Sequence, residues 1–65
     1  MLYRCFFLSA DNRFCAAVEI NSDDDEAALA QARELFAAQD EYPGFELWEG
    51  GRHVHAQPVA RPGKA

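Results

Sequence analysis

The sequence predicts a two-layer α+β domain, one amphipathic helix packed on an antiparallel sheet of three to four strands, in the order ββαββ. Three observations predict it. The stretch from Ser22 to Gln39 opens on acids and continues alanine-rich at helical spacing. Before it, Leu2–Ser9 and Phe14–Ile20 are rich in aromatic and β-branched residues and flank Asp11-Asn12. After it, FELWEGGRHVHA repeats that design around Gly50-Gly51. Apolar periodicity that switches from two to 3.6 and back marks strand pairs on either side of a helix.

The first strand pair reads as a hairpin with Asp11-Asn12 at its tip, because Asp and Asn tolerate the left-handed backbone of tight turns. This register sets Arg4 opposite Glu19, Phe7 opposite Ala16, Phe6 opposite Ala17, Tyr3 opposite Ile20 and Cys5 opposite Val18. Opposite charges and large-against-small pairs of this kind contribute roughly 0.2–1 kcal/mol each. A slip by one residue loses the charge match and exchanges the faces. Alternation then places Tyr3, Cys5, Phe7, Phe14, Ala16, Val18 and Ile20 on one face, apolar except for the tyrosine hydroxyl. That is the expected core face. Cys5 and Cys15 fall on opposite sides of the sheet, so their Cβ vectors diverge and a disulfide is not expected.

In the helix, Ser22 or Asp23 is the expected N-cap, with Asp25 or Glu26 closing a capping box. The acids Asp23–Glu26 also complement the positive end of the helix dipole. At 100° per residue, Ala28, Leu29, Ala32, Leu35 and Phe36 gather into one stripe of about 120°. Asp40-Glu41-Tyr42-Pro43-Gly44 should end the helix, since neither proline nor glycine continues one cheaply.

In the second hairpin the glycines supply positive φ without strain. The expected pairs are Glu49 with Arg52, Trp48 with His53, Leu47 with Val54 and Glu46 with His55. Phe45, Leu47, Val54 and Ala56 would then face inward. Strand order 2-1-3-4 keeps every neighbour antiparallel and needs one right-handed crossover. A three-stranded sheet with an irregular last strand is the alternative. Residues 1–57 are expected to form a single domain, with 58–65 a disordered tail.

A chain of 65 residues buries only roughly 60% of its unfolded surface, so its stability is marginal. Its 49% hydrophobic and 26% charged residues are globular in balance, and its net charge of −5 repels nucleic-acid phosphate. The opening MLYRCFFLSA is too short an apolar run for a signal peptide and is cut off by Asp11-Asn12-Arg13. No stretch approaches a membrane span. A cytoplasmic location with no membrane contact is the expectation.

Chemistry is thinly represented. His53 and His55, two apart on one strand face with Glu46 opposite His55, offer two imidazoles and a carboxylate to zinc or iron. The structural reading of the same residues is a pair of solvent-exposed histidines, one beside an acid. Cys15 as a nucleophile lacks any orienting residue or oxyanion hole, and a small packing side chain accounts for it. The Asp23–Glu26 run lacks the glycine and ligand spacing of a calcium loop. Gly50-Gly51 lacks the strand-to-helix context of a phosphate loop. No catalytic residue and no cofactor are assigned, and the expectation is a protein that is not an enzyme.

One surface has no structural reason for its composition. With the first and third strands adjacent, the face away from the helix collects Phe6, Leu8, Cys15, Ala17 and Trp48, edged by Arg4, Arg13, Glu46, His53 and His55. Monomers rarely leave such a patch without a use, and aromatics ringed by charge resemble interface cores. A homodimer through this face relieves marginal stability. Another protein, or bases stacked on the aromatics, are further occupants, and the acidic charge opposes the last. The structural reading is that the tail, through Val59, folds back over the patch.

The segments YRCFFLSADNR, DDDEAALAQAR and FELWEGGRHVH resemble a group of small bacterial proteins of unknown function associated with the alphaproteobacteria. FELWEGGR is the most specific of the three, and the resemblance covers residues 3–56. It implies the ββαββ fold and no activity or site residues to carry over. A second likeness is to small antitoxins of the HicB kind, which also place a hairpin before an alanine-rich helix opening on acids, here DEAALAQAR. Those proteins carry an extra strand and an appended DNA-binding segment, from which this sequence departs. Three expectations follow: a non-enzymatic association module using the outer sheet face, a metal- or ligand-binding protein using Glu46, His53 and His55, or an antitoxin-like regulator that binds a basic toxin.

Overall fold

The structure, a computed structural model, describes residues 1–59. It has the expected ββαββ order: β1 Leu2–Leu8, β2 Phe14–Asn21, α1 Asp25–Ala37, β3 Gly44–Glu49 and β4 Arg52–Gln57. The sheet runs β2-β1-β3-β4 with every neighbouring pair antiparallel. β2 and β3 therefore run parallel to each other on either side of β1, and α1 is the crossover that joins them. Residues 60–65 of the expected tail lie outside the described residues.

The first register holds along most of its length: Leu2 pairs with Asn21, Arg4 with Glu19 and Phe7 with Ala16. Arg4 and Glu19 close to 2.8 Å. Nearer the tip it shifts, and Leu8 pairs with Phe14. The cause is the turn. Asn12 N–H donates to the Ser9 carbonyl at 2.8 Å, Ser9 N–H to the Arg13 carbonyl at 2.9 Å, and Asn12 takes φ 69°. That makes a three-residue loop closed by a left-handed residue. One residue must then be absorbed in β2, and Cys15 bulges between Phe14 and Ala16. The bulge turns Phe14 away from its expected place in the core. It is 53% exposed and stacks on Phe6 of the outer face, with ring centroids 4.7 Å apart.

A second bulge sits in the other hairpin. Glu49–Arg52 and Trp48–His53 pair as expected, but the register then shifts and Leu47 meets His55 while Glu46 meets Ala56. Val54 is the extra residue and packs at the edge of the core. Everything beyond it changes face: His55 turns toward the helix and Ala56 away from it. At the turn Gly50 takes φ 58°, a conformation that costs any residue with a Cβ.

The helix begins later than expected. Its N-cap is Asp24, whose carboxylate accepts from Ala27 N–H at 2.8 Å, and the N3 position is held by that alanine, so no capping box forms. Ser22, expected as a cap, instead extends the β1–β2 ladder with Met1. At the other end Gln39 clasps the turn: its amide donates to the Phe36 and Tyr42 carbonyls at 3.0 Å each, and its oxygen accepts from Tyr42 N–H at 2.7 Å.

The core lies between the helix and the odd-numbered face of β1. Tyr3, Cys5, Phe7, Ile20, Phe45 and Leu47 are buried against Ala28 and Ala32, with Leu29, Phe36 and Val54 packed at the margin. The two buried alanines let the helix approach the sheet closely. Leu35 stands at the edge of the helical stripe and is 37% exposed. On β2, which among the described residues is an edge strand, the inward-facing Val18 is 36% exposed.

Candidate interaction surface

The outer face is built by even-numbered residues of β1 and β3 that the helix does not cover. Arg4 stands opposite Trp48 and Phe6 opposite Glu46. Between them is a groove of about 400 Å³ lined by Leu2, Tyr3, Arg4, Phe6, Trp48, Glu49 and Gly50. Leu2 is 52% exposed. The Trp48 ring leans on His53 at 4.8 Å, and its indole N–H donates to Glu46 Oε1 at 3.0 Å. That carboxylate oxygen also lies 3.7 Å from His53 Nε2. One wall of the groove is thus held in place by a strand-to-strand cluster.

The expected surface of Phe6, Leu8, Cys15, Ala17 and Trp48 comes out changed in membership. Phe6 and Trp48 are half-buried and share the groove. Cys15 and Ala17 are exposed on β2, away from the groove. Leu8 is not exposed at all, at 2%. It pairs with Gly44, and the place a side chain at Gly44 would take lies only 3.0 Å from a Val59 methyl and 2.9 Å from the Gln57 carbonyl. Among the described residues, the segment after β4 thus reaches this end of the sheet at Val59. In place of Leu8 the surface gains Phe14 and Leu2. Leu2 shares the parity of Arg4 and Phe6 and was legible on that ground. Phe14 was not, because its face depends on the bulge.

The metal candidate does not assemble. Glu46 and His53 remain neighbours, but the Val54 bulge puts His55 on the opposite side of the sheet, its ring 5.8 Å from that of Phe45. His55 Nε2 is buried there without a hydrogen-bond partner among the described residues. No three His, Cys, Asp or Glu side chains gather among those residues to hold a metal ion. Arg13, expected at the rim, pairs instead with Asp11 in the turn at 3.2 Å. Both cysteines are free. Burial pushes the Cys5 thiol up to about 11, so it stays protonated and inert.

A polar network that sequence reasoning overlooked joins four elements beside the groove, whose lining includes Tyr3 and Glu49. The Tyr3 hydroxyl donates to Asp25 Oδ1 at 2.7 Å. Arg52 grips the same carboxylate with two hydrogen bonds of 2.8 and 2.9 Å and donates to Glu49 Oε1 at 2.6 and 3.1 Å. The Arg52 hydrogen bonds, with the Tyr3 hydroxyl adding to them, hold the Asp25 carboxyl down at about 2. Donating to that anion, and being buried, raises the Tyr3 hydroxyl to about 12. The same two carboxylates raise Arg52 further. Such bidentate, charge-assisted contacts fix orientation as well as adding energy. Here they tie the first turn of the helix to the Gly50-Gly51 hairpin. The signal was present in the sequence, since the Tyr3 hydroxyl was the one polar group on an otherwise apolar face and required a partner.

No protein-family model matches this chain, and neither a curated protein nor a solved structure does. Among the described residues no helix is long and apolar enough to cross a membrane.

Proposed function

We propose that this chain is a non-enzymatic association module that packs against a second copy of itself through the outer sheet face. The observation that carries the reading is the groove between Phe6 and Trp48, flanked by Leu2 and Phe14, both more than half exposed. Aromatic knobs beside an apolar hollow are complementary under a twofold axis, the arrangement isologous dimers use. Association would bury surface that a domain of this size needs for stability.

Light scattering over a concentration series tests this, read together with the emission of Trp48, the single tryptophan. The expected result is a mass that rises toward twice the 7.3 kDa of the chain while Trp48 emission shifts to the blue. Trp48→Ala should keep the fold and weaken this association. A strict monomer at high concentration, with Trp48 emission unchanged across the series, overturns the reading.

A further inference from the structure

The two edges of the sheet are unlike each other. β4 carries Arg52 and His53, is interrupted by the bulge at Val54, and is followed by Pro58. Those are devices that stop an edge from pairing with another chain. β2 has neither lysine nor proline. Its single charge, Glu19, is occupied by Arg4 on the outer face at 2.8 Å.

The backbone groups that β2 leaves free can be identified. Met1 and Ser22 exchange both hydrogen bonds, at 2.8 and 2.9 Å. In an antiparallel ladder every second pair bonds in this way, so Tyr3–Ile20, Cys5–Val18 and Phe7–Ala16 are the bonded pairs that follow. Ala16, Val18 and Ile20 thus spend their N–H and C=O on β1. Ala17 and Glu19 direct theirs outward from the sheet.

We propose that this edge pairs antiparallel with β2 of a second copy, Val18 facing Val18 across a twofold axis, to join the two sheets into one of eight strands. The register follows from parity and from the ends of the strand. Opposed residues must share a face, so a strand meeting its own copy opposes residues of equal parity. The bulge at Cys15 and the strand end at Asn21 bound a regular stretch, Ala16–Ile20, whose centre is Val18. In that register Ala17 meets Glu19 of the second copy, and each such pair exchanges both backbone bonds. Moving the centre to Glu19 opposes two like charges, which is destabilising. Moving it to Ala17 draws the bulged Cys15 into the ladder. Pairing about Val18 also covers that side chain, which is inward-facing yet 36% exposed for want of a neighbouring strand.

This contact uses the sheet edge and holds or fails independently of packing through the outer face. It would make the outer faces of two copies into one continuous surface, so that either contact alone takes the mass toward twice that of the chain and both together take it toward about four times that mass. Amide hydrogen exchange at dilute and high concentration, read beside the mass, tests it. The Ala17 and Glu19 amides should exchange freely when dilute and about tenfold or more slowly once the chain associates. Val18→Lys, which opposes two ammonium groups at the axis, should abolish that protection. Ala17→Pro, which removes an outward N–H that β1 does not use, should do the same and serves if the lysine variant folds poorly. Trp48→Ala should leave the protection in place. Association without protection of these two amides overturns the edge pairing and leaves the outer-face reading standing. Protection with a mass that Trp48→Ala does not change overturns the outer-face reading instead. A monomer at every concentration overturns both.

Discussion

Phe6 and Phe7 are adjacent in β1 and chemically identical, yet the sheet sends them to opposite sides. Their truncations should differ accordingly. Phe7 is buried at 6% exposure, opposite Ala16 and Phe45, with the Tyr42 ring stacked at 5.8 Å. An aromatic side chain buries roughly 150–250 Å², which at about 25 cal/mol per Å² corresponds to ~4–6 kcal/mol. Alanine keeps a part of that, and the remaining cavity adds a cost, so Phe7→Ala should lose about 3–5 kcal/mol. A 65-residue domain at about 0.05–0.15 kcal/mol per residue has only roughly 3–10 kcal/mol in all. Phe7→Ala should therefore be largely unfolded, and Phe7→Leu provides the measurable intermediate. Phe6 is half-buried on the outer face, and its main contact is the stacked Phe14 ring. Such a pair contributes about 0.5–1.5 kcal/mol beyond its area burial, so with the half-buried side chain included Phe6→Ala should cost roughly 2–3 kcal/mol in a dilute monomer, less than Phe7→Ala. Urea denaturation at low concentration measures both, and a shift in midpoint at constant slope identifies a stability change. A Phe6→Ala variant as destabilised as Phe7→Ala, or more so, would refute the assignment of faces on which the interaction surface rests.

Three further outcomes are expected. Stability should fall at both ends of the pH scale. The Asp25 carboxyl is held at about 2 against an ordinary 3.8, so its contribution is full above 3.8 and is lost as pH drops through 2; the Tyr3 hydroxyl is raised from 10.0 to about 12, so its contribution is full below 10.0 and is lost as pH climbs through 12. Urea midpoints across pH show both limbs, and Asp25→Asn should flatten the acid one. Gly44→Ala places a Cβ 2.9 Å from the Gln57 carbonyl and 3.0 Å from the Val59 methyl; it should cost about 1–3 kcal/mol and displace Val59, which methyl shifts of Leu8 and Val59 would register. Asp24→Ala should lose about 1 kcal/mol by removing the N-cap, while Asp24→Asn should lose little; if Asp23→Ala proves the more costly, the helix start is misassigned.

Much of the fold was legible because several local signals agreed. The Arg4–Glu19 match and the large-against-small pairs point to one register, and that register puts all the odd-numbered apolar residues of β1 on one side. The helical stripe of Ala28, Leu29, Ala32 and Phe36 supplied the layer that covers them. The helix cap was less legible, since four consecutive acids, Asp23 to Glu26, can all accept from a helix N-terminus. Asp25 is not the cap because its carboxylate is engaged by Tyr3 and Arg52, which lie 22 and 27 residues away along the chain. The candidate site suffered most from the bulges at Cys15 and Val54. A bulge requires no particular residue type; it is where the ladder absorbs a mismatch set by turn length and sheet twist. One bulge moved Phe14 onto the outer face, and the other removed His55 from it. Leu8 is buried beside Gly44, where Val59 packs, a placement that depends on the path of the chain after β4.

The sequence by itself determined the order of elements, the strand order and the parity of β1, because hydrophobic alternation and opposite-charge pairing act between residues whose spacing is local or set by a single turn. Only the tertiary structure decided which side chains reach the outer face beyond each bulge, which acid caps the helix, and where the ladder along each sheet edge is interrupted. These depend on where the backbone ladder closes and on contacts between residues remote in the chain. No single segment carries that information.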